Sequence, residues 1–287
     1  MELAEHFVKP PNWEWLILAY FFLAGLSGGC YAIGAMMRLF GPRSDAPAAR
    51  FAFLAAFPLI LVCPVLLTVD LGQPPRFWHM LLDSVNLTPN FKYWSPMSVG
   101  VWALGLYSIF AFVSFLEALF TPVRTALAGA LGGVVVIVGG LLGFFIAAYT
   151  GVLLSVSNQP VWSDGWPLGG LFLASGLSGA AALLVLIARY RSGLEPSVGR
   201  IADADRYFVI LETLLLVVFL ITVAAAGTLG KLFGAVEIVL WLLVLLGLAT
   251  PLLGRARVGG LPPVITSVLV LAGVLALRAV VIFGAQS

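Results

Sequence analysis

The residues able to do chemistry in this 287-residue chain are few, and many gather in one stretch. Between Val69 and Trp102 the sequence reads VDLGQPPRFWHMLLDSVNLTPNFKYWSPMSVGVW. Asp70, Arg76, His79, Asp83 and Lys92 lie there among Trp78, Tyr93, Trp94 and Trp102. Pro74, Pro75, Pro89 and Pro96 break it into short pieces. A connection of this length inside an otherwise apolar chain usually has a function. Aromatic rings mixed with charge suit a membrane–water interface. The stretch therefore reads as a loop that caps a site between helices and presents it to something outside the bilayer. A second set of ionisable residues falls within or at the ends of apolar runs: Glu14, Asp70, Glu117, Glu212, Glu237 and Arg278. A charge at mid-membrane costs about 2.5–3.5 kcal/mol on insertion scales, so each needs a reason. A buried ion pair, or a helix end reaching water, is one such reason. A proton route through Glu117, Glu212, Glu237 and Arg278 is the other. Arg278 requires a carboxylate or carbonyl partner, and Glu237 is a candidate. Tyr149, in AAYTGVLLS, is either an interface tyrosine or a hydrogen-bonding group for a ligand carbonyl.

Several chemistries are excluded. The two histidines, His6 and His79, both lie outside apolar runs, so a bis-histidine haem of the usual kind has no ligands. An iron–sulfur cluster needs about four thiolates, and Cys30 and Cys63 are two. These two read as buried thiols or as a disulfide. His79 has no second soft ligand near it in sequence, so no metal site is expected, and no catalytic constellation stands out. The Gly-rich pieces at 132–133, 139–140 and 143 open no strand–turn–helix phosphate loop and read as close helix packing. Asn86-Leu87-Thr88 fits a glycosylation sequon, a pattern common by chance.

The elements that must position these residues follow from composition. The chain is 61% hydrophobic and 10% charged, against about 25% charged in soluble domains, which makes it an integral membrane protein. Its mean hydropathy is +1.09. A net charge of +2 gives no basis for nucleic-acid binding. At about 20 apolar residues per crossing, eight helices fit, expected near 15–38, 51–70, 97–120, 127–151, 168–190, 206–226, 235–253 and 262–283. The runs lack strict alternation, so they read as helices in an all-α fold, one integral membrane domain over 1–287. MELAEHFVKPPNWEW lacks the basic start and cleavage site of a signal peptide, so the first helix is expected to insert as it stands. The connections after helices one, three, five and seven carry Arg38, Arg43, Arg50, Arg124, Arg189, Arg191, Arg200, Arg206, Arg255 and Arg257. The opposite side carries Lys9, Arg76, Lys92 and Lys231. The bias places both termini and the 71–96 loop on the outer, periplasmic-type face. There is also an internal echo: FLAGLSG in the first helix and FLASGLSG in the fifth, preceded by Pro11/Trp13 and Pro160/Trp162. It suggests a repeat of 1–151 and 152–287 as two four-helix bundles, or the recurrence of small-residue faces found in any packed membrane helices.

The chain resembles the NrfD/PsrC family, the membrane subunits of polysulfide-reductase-type complexes. The resemblance is carried by Trp13–Gly29 with FLAGLSGG, DLGQPPRFWHM at Asp70–Met80, WSPMSVGVW at Trp94–Trp102, YTGVLL at Tyr149–Leu154, LFLASGLSGAA at Leu171–Ala181, and GVLALRAVVIFGAQ at Gly273–Gln286. It implies a haem-free subunit that binds quinone or quinol (menaquinone or ubiquinone) at its outer face, in a bacterial or archaeal cytoplasmic membrane. Tyr149 corresponds to the family's helix-four quinone tyrosine. His79, Arg76 and Asp70 become pocket or partner contacts. Polar first-helix side chains line the pocket in part of the family; here that region offers Tyr20 and Ser27, a departure from the pattern. The implied partners are a four-cluster ferredoxin-like iron–sulfur subunit and a molybdopterin catalytic subunit or multihaem cytochrome. A chain without clusters cannot carry electrons far, so an acceptor must dock close to the pocket. A transporter or a purely structural anchor is the alternative reading.

Overall fold

The computed structural model describes residues 11–191, 193–253 and 262–286, so His6, Lys9, Arg255 and Arg257 lie outside the described residues. It contains helices α1 (Trp15–Phe40), α2 (Ala46–Asp70), α3 (Pro96–Leu119), the short α4 (Thr121–Ala126), α5 (Ala130–Ser155), α6 (Leu168–Arg189), α7 (Glu195–Ala225), α8 (Ala235–Leu253) and α9 (Pro263–Gly284). All but α4 are long and apolar enough to cross a bilayer, which meets the expected eight crossings of a multi-pass integral membrane protein. A bilayer offers no water to bond exposed peptide groups, so an apolar run closes its own hydrogen bonds as a helix. Proline occupies the first turn of α2, α3, α4, α7 and α9, where its missing N–H would have no intrahelical partner anyway. Ser95 caps α3 by accepting from the Ser98 N–H at 3.4 Å.

The largest boundary difference from the sequence reading is at α7. Helix α7 starts at Glu195 rather than near 206, absorbing EPSVGRIADADR. Hydropathy stops at the charged residues, but these residues anchor the extra turns. Ser197 donates to Asp45 at 2.6 Å, Arg200 pairs with the same carboxylate, and Ser178 of α6 donates to Asp205 at 2.7 Å. The loop between α2 and α3 is likewise built: a 3-10 helix spans Pro74–Met80, and an isolated bridge joins Leu82 to Pro89.

Helices α1 and α6 form the centre. Of their most apolar windows, 78% and 72% of residues are buried, against 22–28% in α2, α3, α7 and α8. Helix α1 packs on α2, α5 and α6, and α3 closes against α2 and α5. Helix α6 packs on α7 and α9, and α8 closes against α9. Lipid tails are as apolar as leucine, so close backbone approach and polar bonds must hold such helices together. Small residues allow that approach: a Cβ at Gly29 of α1 would meet the Gly176 carbonyl oxygen of α6 at 2.5 Å, and one at Gly176 would meet that of Gly25 at 3.0 Å.

Contacts sort the helix ends. Trp13 stacks on Trp162 at 4.9 Å, and its N–H donates to Gln286 Oε1 at 2.7 Å. The starts of α1 and α6 and the end of α9 therefore share one end of the molecule. At the other end, Arg38 of α1 pairs with Glu117 of α3, and Asp45 pairs with Arg200 of α7.

Candidate functional site

A cavity of about 140 Å³ opens at the Trp13 end, beneath the 71–95 loop. Trp13, Ile17, Tyr20 and Phe21 supply its α1 wall. Leu67, Asp70 and Leu71 come from the end of α2, Met80 from the loop, and Met97, Gly100, Val101 and Leu104 from α3. Tyr149 and Leu153 of α5 complete it. Mostly apolar walls with a few convergent polar groups are what a small-molecule site needs, and the two methionines let the wall adapt to shape.

The structure thus brings Tyr20, Asp70 and Tyr149 together. The two phenols are not equivalent. Tyr149 donates its proton to the Pro96 carbonyl at 2.7 Å, and its ring stacks on Phe145 at 5.6 Å. Gly100 makes room for it, since a Cβ there would fall on the Tyr149 ring. Tyr20 is buried, within electrostatic reach of Tyr149, and its hydroxyl makes no hydrogen bond among the described residues. The Asp70 carboxylate also has no hydrogen-bond partner there, with Glu14 as its charged neighbour. Among the described residues lining the cavity, Tyr20 and Asp70 therefore offer a free hydroxyl donor and a free carboxylate acceptor.

The remaining candidates stand elsewhere. His79 is half-buried in the loop with its ring 3.9 Å from that of Trp78, and Arg76 is exposed on the same 3-10 helix; neither lines the cavity. Ser27 lies deeper, donating to the Ala56 carbonyl at 2.7 Å and bonded to the Tyr107 hydroxyl at 2.9 Å. Edge-on to Tyr107, at 5.8 Å between ring centres, stands Tyr31, whose hydroxyl bonds Ser114 at 2.7 Å. Ser114 and Glu117 line a second cavity, of about 280 Å³, at the opposite end. A column of buried hydroxyls, two hydrogen-bonded pairs joined by an edge-on ring contact, thus runs through α1 and α3 and ends at the second cavity. Sequence reasoning missed it, because tyrosines and serines inside apolar runs look like packing.

Glu117 and Glu212 are not joined by any hydrogen bond or ion pair among the described residues. Glu212 sits in mid-α7, beside a small cleft lined by Ser178 of α6 and by α8 and α9, within electrostatic reach of Arg278 and Asp205. Arg278 is wholly buried, and its hydrogen bonds go to Ser175 at 2.5 Å and to the carbonyls of Val274, Phe172 and Phe21 at 3.1, 3.2 and 3.3 Å, not to Glu237. Glu237 is half-buried in the first turn of α8, where its carboxylate folds back over Gly234. Cys30 and Cys63 are free buried thiols. Among the described residues, no group of three or more potential metal ligands occurs.

Comparison with known proteins fits this architecture. The family model described as "Polysulphide reductase, NrfD" matches residues 4–287. Protein NrfD of Escherichia coli is 26% identical over 316 aligned positions, covering 96% of this chain and 95% of that protein. One of the polysulfide reductase chains of Wolinella succinogenes is 28% identical over 312, covering 96% and 94%. One of the selenate reductase subunits of Mesobacillus selenatarsenatis is 27% identical over 109 positions, 38% of this chain and 23% of that protein. With a match over nearly its whole length, on eight apolar helices, this chain belongs to the NrfD polysulphide reductase family.

Proposed function

We propose that this chain is the membrane subunit of a respiratory reductase-type complex and binds quinol or quinone in the cavity beneath the 71–95 loop. The observation that carries the reading is the convergence of an unpaired phenol, a carboxylate and a second tyrosine on an otherwise apolar cavity at one membrane face. Oxidation of a quinol releases two electrons and two protons. Asp70 accepts the proton of one hydroxyl, water at the mouth of the cavity accepts the proton of the other, Tyr20 donates a hydrogen bond to an oxygen as it becomes a carbonyl, and the Tyr149 ring closes the wall. The reverse reaction uses the same contacts. The electrons pass to or from an iron–sulfur subunit docked on the loop, with His79 and Arg76 at the docking face and a molybdopterin or multihaem subunit beyond it. The names of two relatives, which describe components of a polysulfide reductase and of a selenate reductase, support a partnered role. The arginine bias supports both termini and the loop on the outer face, and the bacterial sources of the relatives support a bacterial or archaeal cytoplasmic membrane. Protons move between the cavity and the far end along Ser27, Tyr107, Tyr31 and Ser114 to Glu117. Arg278 acts as a positioning residue.

The test is quinol-linked turnover of the assembled complex. Tyr20→Phe removes one ligand hydrogen bond and is expected to lower turnover about tenfold with assembly intact. Unchanged quinol kinetics in both Tyr20→Phe and Asp70→Asn would sink the assignment.

A further inference from the structure

The cavity at the opposite end has a different chemistry. It is bounded by the end of α1, the 3-10 turn Arg43–Asp45, the start of α2, the end of α3, and α4. Arg38, Arg43, Arg50 and Arg124 all line it, and Glu117 is the one acid among the lining residues. Two of the four guanidinium groups are engaged. Arg38 pairs with Glu117 at 2.6 Å, and Arg124 donates to the carbonyls of Glu117 and Ala118 at 3.3 and 3.0 Å, closing the end of α3. Arg43 and Arg50 are exposed, and their side chains make no hydrogen bond or ion pair among the described residues. The Asp45 carboxylate, near Gly41 in the wall, is already held by Arg200 and Ser197. The number of arginines on this side follows from membrane topology. Their convergence on one hollow does not, because topology constrains the side and not the position.

We infer that this hollow is a phosphate-binding site, held by Arg43 and Arg50. Arginine's planar fork matches a phosphate's paired oxygens, and basic pockets between helices at a membrane face hold anionic headgroups. The phosphate can belong to an anionic phospholipid or be free in solution. The rim bears on that choice: Phe40 and Phe120, adjoining the lining residues, are 84% and 52% exposed, apolar surface on which acyl chains would lie. The site is separate from the quinone cavity and does not depend on that assignment.

The experiment uses the full chain in mild detergent. Native mass spectrometry and thermal unfolding are read with phosphatidylglycerol, phosphatidylcholine or inorganic phosphate added, for the wild type, Arg43→Gln/Arg50→Gln and Arg43→Lys/Arg50→Lys. A lipid site predicts bound phosphatidylglycerol and a raised Tm in the wild type, no such effect of phosphatidylcholine or inorganic phosphate, and about tenfold weaker binding in the Gln pair, partly restored in the Lys pair. An equal response to inorganic phosphate, lost in the Gln pair, assigns the site to free phosphate. Should the Gln pair fail to fold, the wild-type titrations and the Lys pair still decide. A wild type that responds to neither anion, or a Gln pair that binds phosphatidylglycerol as tightly as the wild type, overturns the inference.

Discussion

At the scale of single residues, the balance of free and engaged groups decides roles more than residue type does. Tyr149 and Tyr20 are both phenols in one cavity, yet Tyr149 already donates to the Pro96 carbonyl and Tyr20 donates to nothing described. Tyr149→Phe is therefore expected to act through α3 as well as through the ligand. It should lower turnover less than Tyr20→Phe while shifting the thermal stability of the complex, and the pair of measurements separates the two effects. Arg278 is the opposite case, a fully engaged buried cation tying α1, α6 and α9 together. Arg278→Met leaves those acceptors without their donor and is expected to cost about 3–5 kcal/mol, read as loss of folded protein in membranes. Asp70 and Tyr149 stood out in the sequence as polar residues at the ends of apolar runs, and Tyr20 entered through the family resemblance. The partners of Arg38, Asp45 and Arg278 were not, because each pairing joins helices far apart in the chain. Asp45 left one faint trace, as the lone acid among the arginines of GPRSDAPAAR.

At the scale of helices, apolar run length read the eight crossings directly, whereas the charged first turns of α7 were invisible to it. Their stability comes from Asp45 and from Ser178, neither of which is local. The α1–α6 crossing rests on glycine facing glycine. Gly176→Val puts three carbons where the Gly25 backbone lies, and overpacking of this kind costs about 1–3 kcal/mol. Reduced Tm with the Tyr20 cavity still able to bind a quinone analogue is the expected outcome. The hydroxyl column is tested at the same scale. Tyr107→Phe breaks the Ser27 link. In proteoliposomes it is expected to slow proton exchange at the Glu117 face, followed with a pH-sensitive dye, while quinol still binds. Unaltered proton exchange would remove the column from the route.

At the scale of the whole molecule, the expected orientation can be read by labelling, since both native cysteines are buried. Val85→Cys, on the 71–95 loop at 83% exposure, is expected to react with an impermeant maleimide in intact spheroplasts. Tyr190→Cys, at 73% exposure on the other face, is expected to react after lysis. The reverse pattern would invert the topology and move the Tyr20 cavity to the inner face. The contact between Gln286 and Trp13 has a further consequence, which concerns the order of synthesis. The Tyr20 cavity is walled entirely by residues up to Leu153 and the loop before it, all of which enter the membrane before α9 is made. Yet the α1 wall is held from α9: Gln286 grips Trp13 at both its N–H and its carbonyl, and Arg278 binds the Phe21 carbonyl. A nascent chain with seven helices inserted therefore carries every cavity residue and lacks the clamps on one wall. The cavity gains these clamps after the helix farthest from it in sequence has docked, so a stalled or truncated translation product is left with one wall unclamped.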